Sequence, residues 1–586
     1  MDVRTSGAVA TVSEREAIAS VLGGEPPGGS RVVRGGRQQR SRRHLLLPAL
    51  HALQDASGWI SRGAIDHLAE RMSIGPAEIY GIASFYHMLA TEPRPPLAIH
   101  VCDDIACRAA GAGRLRAELE SRFGAEGSEA APGAAWRSSP CLGHCEHGSA
   151  ALVRRAGTAT ELIDVAFGPV TADQVGELLN GGRPAGPPEA AVPTRAPQVG
   201  LLRRASGPRL LTAVAYEKAG GFLTLRRLLA AGPEAILAEL AGSGVVGRGG
   251  AAFPTARKWE AVARATEHPH YVVCNADESE PGTFKDRLLL ERDAFGVIEG
   301  LMIAGVATGS ERGYIYLRDE YPHARAVLES ALAELRAAGW LGPAFEIELR
   351  RGAGAYICGE ETALLNSIEG RRGEPRNRPP FPVERGLFGK PTAINNVETL
   401  LAALEALGGS PGGKLFSVSG NVVRPGVYEL EAGATLGRLL DLAGGVAGGR
   451  SLQAVLLGGA AGSLVGPGRL DLPLTVEGTR AAGLSLGSGA VIVFDDQAQM
   501  GEILLRVARF FRQESCGQCV PCRVGTVRQE EALVRLLAGT PLGSREDELI
   551  RLRDVAQVMR DASICGLGQT AANAVQSGLN ELGARL

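Results

Sequence analysis

The sequence predicts an α/β multidomain protein that ends in a β-rich module and a helical bundle. Three observations carry this. Apolar strand-like runs alternate with helix-period segments up to about residue 400. From Lys414 to Asp495 the pattern changes to short β-rich runs with a Pro425-Gly426 turn. Beyond Gln499 it is helical, with Ile503, Val507 and Phe510, then Leu533, Leu536 and Leu537, then Val555 and Met559. A chain of 586 residues accommodates about three to five domains. Its net charge of −2 gives no reason to expect nucleic acid as a partner. No apolar run approaches the ~18–20 residues of a membrane span.

In chain order, residues 1–43 mix Gly and Arg and read as a flexible basic tail. Arg42-Arg43 before His44-Leu-Leu-Leu47 looks superficially like a twin-arginine export signal. It lies deep in the chain, however, and Pro48 and His51 break the apolar run, so a basic tail entering the first helix is preferred. The absence of an apolar signal core and the clustered thiols imply a reducing cytoplasm. Residues 44–180 form one unit: a helical head to about Ala90, a strand at Leu97–Val101 running into Cys102, a helix over 111–123, then further strands and helices. Residues 181–200, with five prolines, read as a linker. An α/β domain spans 201–400, with strands such as Tyr271–Cys274 and Tyr314–Leu317, followed by the module at 414–495 and the bundle at 498–586.

Eight of the ten cysteines form two sets with metal-centre spacing. Cys102-x4-Cys107 pairs with Cys141-x3-Cys145, expected in loops where ligands converge, with Gly143 and Ala109 to Gly111 letting backbone amides approach sulfur. Structural zinc is the alternative, although zinc sites favour x2 spacing. Cys516-x2-Cys519-x2-Cys522 places three thiolates on one tight turn, and the distant Cys565 is the cysteine available to close a [4Fe–4S] cubane. Cys274 and Cys358 read as small buried residues.

Between the two sets lie three segments that read together as a nucleotide site. Gly247-Arg-Gly-Gly-Ala-Ala-Phe-Pro-Thr-Ala-Arg-Lys258 can bring backbone amides and a helix N-terminus to a phosphate, but alone it could be a structural turn. Asn275-Ala-Asp-Glu-Ser-Glu280 supplies an amide and the carboxylates of Asp277, Glu278 and Glu280, and Gly352 to Glu361 adds glycines, Tyr356 and two acids. Carboxylates suit hydroxyls, ring N–H groups and carboxamides. The set therefore fits a ribityl or ribose chain, a flavin edge and a nicotinamide amide, with a metal–carboxylate site as the alternative.

Leu46 to Gln54, Ala83-Ser-Phe-Tyr86 and the first four cysteines resemble the thioredoxin-like [2Fe–2S] subunit of respiratory complex I. Residues 200–580, including Lys390 to Glu398 and Glu514-Ser-Cys516, resemble the flavin- and NADH-binding subunit of complex I, of NAD-reducing hydrogenases and of NAD-dependent formate dehydrogenases. This resemblance implies a [2Fe–2S] centre on Cys102, Cys107, Cys141 and Cys145, and a β-grasp-like (SLBB-type) fold for the 414–495 module. It implies FMN on Gly247, Arg248, Gly249 and Gly250, on Asn275, Asp277 and Glu278, on Gly359, Glu360 and Glu361, and on Asn395 and Asn396. NAD(H) would stack over the flavin against Phe253, Lys258, Glu280, Tyr356, Glu361 and Phe381. No side chain need act as a nucleophile; Glu278 and Glu361 would position and tune. The sequence departs from the family at Ala252 and Ala256, where glycine is usual.

The implied chemistry is hydride exchange between NAD(H) and FMN, followed by single-electron exchange with the clusters. Fusion of the two subunits argues against ordinary complex I. Tyr316 to Pro322 and Met559 to Gln569 resemble the β subunit of molybdenum- or tungsten-dependent formate dehydrogenase. That implies a large catalytic partner carrying a molybdenum or tungsten pterin and further iron–sulfur clusters. A hydrogenase diaphorase subunit, a fused complex I variant and a non-catalytic iron–sulfur scaffold remain the alternatives.

Overall fold

The computed structural model describes residues 5–24, 36–158, 160–184, 186, 200–410 and 412–582. Most of the expected linker at 181–200 lies outside them. The expected tail at 1–43 lies partly outside, and where it is described it differs from expectation. Val12–Leu22 is a helix opened by a Thr11–Glu14 capping box, and it buries Ile18 and Leu22 in the head. The carboxylate of Asp66 accepts from both the amide and the hydroxyl of Ser6. The segment before the helix rests on Gly63, where a Cβ would meet the Val9 carbonyl at 2.5 Å.

The N-terminal cysteine domain is built on a five-stranded sheet in the order Glu129–Ala131, Ala134–Ser139, Leu97–Cys102, Ala151–Arg155 and Ile163–Phe167. Leu97–Cys102 runs parallel to Ala134–Ser139, so a crossover must join them, and the helix Ala112–Phe123 supplies it. Ile99, Val101, Leu119, Trp136 and Val153 fill the core between them.

The central domain has a four-stranded, wholly parallel sheet in the order Glu346–Arg351, Arg312–Leu317, Tyr271–Ala276 and Thr392–Asn396. Successive strands leave Tyr271–Ala276 in one direction, and the last returns to its other side. That reversal opens a crevice at the carboxyl ends of Tyr271–Ala276 and Thr392–Asn396, the place where open parallel sheets take ligands. The helix Ala294–Thr308 is apolar on nearly every face, because it is buried on nearly every face.

Residues 414–495 form a second five-stranded sheet, Gly426–Leu430, Lys414–Gly420, Ala490–Asp495, Leu452–Leu457 and Ser463–Val465, with its own apolar core. The helices Met500–Glu514, Val520–Leu537, Arg545–Ala562 and Asn573–Leu582 follow. Among the described residues no helix is long and apolar enough to cross a membrane.

Candidate functional site

The crevice gathers the three segments. The glycine segment closes on itself where the Gly247 amide donates to the Phe253 carbonyl at 2.9 Å, and it is tied down where the Arg248 amide donates to Thr399 Oγ1 at 2.8 Å. Gly249 lies against Asn396: a Cβ there would stand 3.3 Å from the Asn396 Cβ. Ala252, a departure from the family's glycine, adopts a φ of 53°. A left-handed backbone costs a residue with a Cβ about 1–2 kcal/mol, so the turn geometry is retained at a small stability cost. The helix Thr255–Ala263 follows with no side-chain cap; its first amide, that of Thr255, donates to the Val245 carbonyl at 3.0 Å.

Strand register places Asn395 beside Cys274 and Asn396 beside Asn275. Asn275 Nδ2 donates to the Gly359 carbonyl at 2.8 Å, joining the acidic loop to the third segment. Lys258 Nζ donates to Glu361 Oε1 at 2.5 Å and to the Ile394 carbonyl at 2.8 Å, joining the first segment to the same place. Phe253 and Phe381 are half-exposed, at 50% and 51%, and so present free apolar rings.

Several expected contacts are already occupied within the protein. Glu360 caps the helix Glu361–Ile368, accepting from the amides of Thr362 and Ala363 at 2.9 Å each. Glu278 accepts from the amides of Asp286 (2.8 Å) and Arg287 (3.0 Å) and from the Tyr321 hydroxyl (3.0 Å). Asn396 caps the helix Val397–Leu407 and donates to Asp286 Oδ2 at 2.5 Å. These residues therefore shape the crevice through the backbone they hold. Glu280 accepts from the Tyr356 hydroxyl at 2.6 Å and from the Ala461 amide at 3.0 Å, which brings the 414–495 module against the crevice.

Among the buried polar atoms of the crevice segments that lack a partner are Asp277 Oδ2 and Asn395 Nδ2, with Arg248 Nε and Thr255 Oγ1 on the glycine segment. An orphaned acceptor and an orphaned donor are costly in a closed core and fit a ligand that supplies the complementary groups, as a flavin does. Burial pushes the carboxyls of Asp277 and Glu278 up to about 8 and that of Glu280 up to about 7. For Asp277 the folded chain holds a proton that the unfolded chain releases near the usual value of ~4. Its contribution to stability is therefore full at low pH and falls as pH rises from about 4 through about 8. Asp277→Asn, neutral throughout, is expected to flatten that fall by on the order of a few kcal/mol. Thermal unfolding of the FMN-free protein at about pH 5 and about pH 8.5 checks this.

The first cysteine set is fully buried, and Cys141 Sγ lies 3.4 Å from Cys145 Sγ. The Gly143 amide donates to Cys141 Sγ at 3.4 Å. The expected loops are only partly present. Cys102 ends a strand, Cys107 lies in the helix Ile105–Ala109, which Asp104 caps, and Cys145 opens a one-turn helix. Arg506, on the helix Met500–Glu514, pairs with Asp104 at 3.3 Å and donates to the Asp103 carbonyl at 2.9 Å. The same helix ends at Glu514, which accepts from the Tyr356 amide at 2.9 Å and stands two residues before Cys516.

In the second set, Cys516 precedes the helix Val520–Leu537, Cys519 occupies its N-cap position without a side-chain cap bond and Cys522 lies in its first turn, where Pro521 is also accommodated. The turn after Cys565 presses on Cys522, since a Cβ at Gly568 would lie 2.9 Å from the Cys522 Cβ. Burial pushes the thiols of Cys522 and Cys565 up to about 11 and about 12. Such a site favours thiolates only with cationic metal among them. No group of three or more His, Cys, Asp or Glu among the described residues is arranged around a single metal ion. Iron–sulfur centres instead spread their thiolates over several iron atoms. Cys274 and Cys358 are buried, and burial raises both thiols, as expected of packing residues.

Glu514, Thr399, Tyr321 and Arg318, whose Nη1 donates to the Glu278 carbonyl, are crevice residues that sequence reasoning did not assign. Glu514, Arg318 and Tyr321 lay within quoted motifs; Thr399 carried no local signal.

Fold and site together define a protein that binds FMN and NADH and carries a [2Fe–2S] and a [4Fe–4S] centre. Residues 240–405 match the Nuo51 FMN-binding domain, residues 35–180 the thioredoxin-like [2Fe–2S] ferredoxin family, residues 415–463 the SLBB domain, and residues 502–585 the NADH-ubiquinone oxidoreductase-F iron–sulfur binding region. An NADH-quinone oxidoreductase subunit from Rhizobium meliloti is 41% identical over 65% of this chain and 94% of its own length. The NAD-reducing hydrogenase HoxS subunit alpha of Cupriavidus necator is 34% identical over 92% of this chain and 91% of its own. The crystal structure of an NAD+-reducing [NiFe]-hydrogenase in the H2-reduced state superposes with a TM-score of 0.79 at 32% identity, covering 93% of both chains. The chain belongs to the family of NADH-binding diaphorase subunits of the complex I and NAD-reducing hydrogenase type, in the form that fuses the [2Fe–2S], flavin and [4Fe–4S] domains.

Proposed function

We propose that this chain carries electrons between NAD(H) and a large catalytic partner, with Cys102, Cys107, Cys141 and Cys145 holding [2Fe–2S] and Cys516, Cys519, Cys522 and Cys565 holding [4Fe–4S]. The observation that carries the reading is the crevice at the sheet's switch point, with its orphaned Asp277 and Asn395 atoms and its connection through Tyr356 to Glu514 beside the second cysteine set. When bound there, FMN exchanges a hydride with NAD(H) and single electrons with iron–sulfur centres. The glycine segment offers amides to phosphate and ribityl oxygens. Asp277 and Asn395 take complementary flavin groups, the Lys258–Glu361 pair orients the nicotinamide, and Phe253 and Phe381 supply apolar rings to cover it.

Two partners remain in competition. The segments Tyr316 to Pro322 and Met559 to Gln569 support the β-subunit role in a molybdenum- or tungsten-dependent formate dehydrogenase of the cytoplasm, acting as formate + NAD+ to CO2 + NADH. The whole-length similarity to the HoxS alpha subunit favours the diaphorase role in an NAD-reducing hydrogenase. The isolated, anaerobically reconstituted chain is expected to reduce artificial acceptors with NADH and to oxidise neither formate nor hydrogen, since its cysteine sets are committed to electron transfer. Formate or hydrogen oxidation by the chain alone would overturn the need for a partner. Co-purification from the native host, followed by assay of the complex with both substrates, decides between the two partners.

A further inference from the structure

Arg318-Asp-Glu-Tyr321, between the strand Arg312–Leu317 and the helix Pro322–Ala337, takes no part in the chemistry above. All four side chains are nevertheless buried, although three are ionisable and the fourth ends in a hydroxyl. Burying such groups is expensive unless each is partnered. Here the partners belong to different units. Arg318 Nη1 donates to the Glu278 carbonyl at 2.5 Å, on the acidic loop of the crevice. Its Nη2 donates to the Cys141 carbonyl at 2.7 Å, in the first cysteine set, and to Glu320 Oε1 at 2.8 Å. The Tyr321 ring lies under the guanidinium at 4.9 Å, and its hydroxyl reaches Glu278 Oε2. That hydroxyl also fills the space a Cβ at Gly143 would take, so glycine is required between Cys141 and Cys145 for the two domains to close. Asp319 pairs with Arg154 of the N-terminal sheet at 2.6 Å and with Arg351, which itself reaches Asp55 of the helical head at 2.6 Å.

We propose that Arg318 is a positioning residue shared by two redox sites: it holds the Glu278 peptide of the flavin crevice and the Cys141 loop in one register, and its fixed charge stabilises the reduced [2Fe–2S] centre. The proposal rests on Cys141 being a ligand of that centre. Reduction adds one electron, supplied by reduced flavin, and breaks no bond; the centre becomes more negative by one unit. A buried guanidinium bonded to a ligand's own carbonyl lowers the energy of that added charge, part of the effect being offset by Glu320. Domain docking does not depend on Arg318 alone. Arg287 donates to the Gly143 carbonyl at 3.0 Å and pairs with Glu146, and Arg154 pairs with Asp319, so an Arg318 variant retains the interface.

The test uses the full-length reconstituted holoprotein, with dithionite titration followed by low-temperature EPR and with FMN retention measured on dilution. The wild-type [2Fe–2S] signal, recorded first, tests the ligand assignment by itself. Arg318→Gln is expected to weaken reduction of that centre about tenfold, which is about 59 mV for one electron. It should leave the [4Fe–4S] potential unchanged and weaken FMN retention severalfold. Arg318→Lys keeps the charge but lacks the fork that reaches two carbonyls. It should recover most of the potential and not the FMN retention. An intact wild-type signal with an unshifted potential in Arg318→Gln overturns the proposal alone. If the Gln variant does not fold, wild-type FMN retention in Arg318→Lys overturns it instead.

Discussion

Glu361→Gln is expected to lower kcat/KM for NADH by roughly 10–100-fold while leaving the iron content of both centres unchanged. The residue opens the helix Glu361–Ile368, and its carboxylate accepts from Lys258 Nζ at 2.5 Å. Lys258 lies on the helix that follows the glycine segment and also donates to the Ile394 carbonyl. The pair therefore fixes two of the three crevice segments relative to the strand end that carries Asn395 and Asn396. A hydrogen bond to a charged group contributes about 1.5–3 kcal/mol, which sets the expected range of rate loss. The neutral amide keeps the size and removes the charge, so the loss isolates electrostatic positioning from packing. Both cysteine sets lie in other domains and should keep their metal. Iron analysis beside NADH kinetics checks the outcome: iron loss with unchanged NADH turnover would contradict the placement.

Much of this architecture is legible from local pattern. The cysteine spacings, the switch from α/β to β to helix, and the glycine and acidic segments are all short-range features. The helix Val12–Leu22 was legible too: Thr11-x-x-Glu14 is a capping box, and Ile18 and Leu22 are one turn apart. Its Gly- and Arg-rich surroundings concealed it. Cys107 shows a similar limit, since a single capping side chain, Asp104, is enough to make a short helix where converging ligands suggested a loop.

What the sequence does not disclose is where a carboxylate spends its lone pairs. Glu278 and Glu360 stand in two segments that read as ligand-binding, yet both carboxylates accept backbone amides at helix starts. The acids of these segments look alike until their donors are known. Arg318 is the extreme case: its bond to the Cys141 carbonyl spans 177 residues of chain. Nothing periodic or local encodes such a contact. It emerges only when the parallel sheet and the N-terminal domain have been packed together.

Cys565→Ala is expected to convert the second centre to [3Fe–4S] or to empty it, while FMN stays bound. Three thiolates on the Cys516–Cys522 turn cannot fill four iron corners. Cys565 is the cysteine that packing brings to that turn, through the contact of Gly568 on Cys522. The substitution removes one buried thiol and leaves the turn's backbone unchanged, so the bundle should hold its fold. The crevice lies in the separate central domain, with Asp277, Asn395 and the Lys258–Glu361 pair untouched; NADH should still reduce bound flavin at close to the wild-type rate. Passage of electrons to the partner should fall by roughly 100-fold or more, a barrier increase of about 2.7 kcal/mol. Iron analysis and low-temperature EPR read the cluster, and stopped-flow flavin absorbance reads the hydride step. An undisturbed [4Fe–4S] signal would place the fourth ligand on another residue or on the partner. Loss of flavin reduction together with the cluster would mean that the bundle, through Glu514 and its bond to the Tyr356 amide, holds the crevice as well as receiving its electrons.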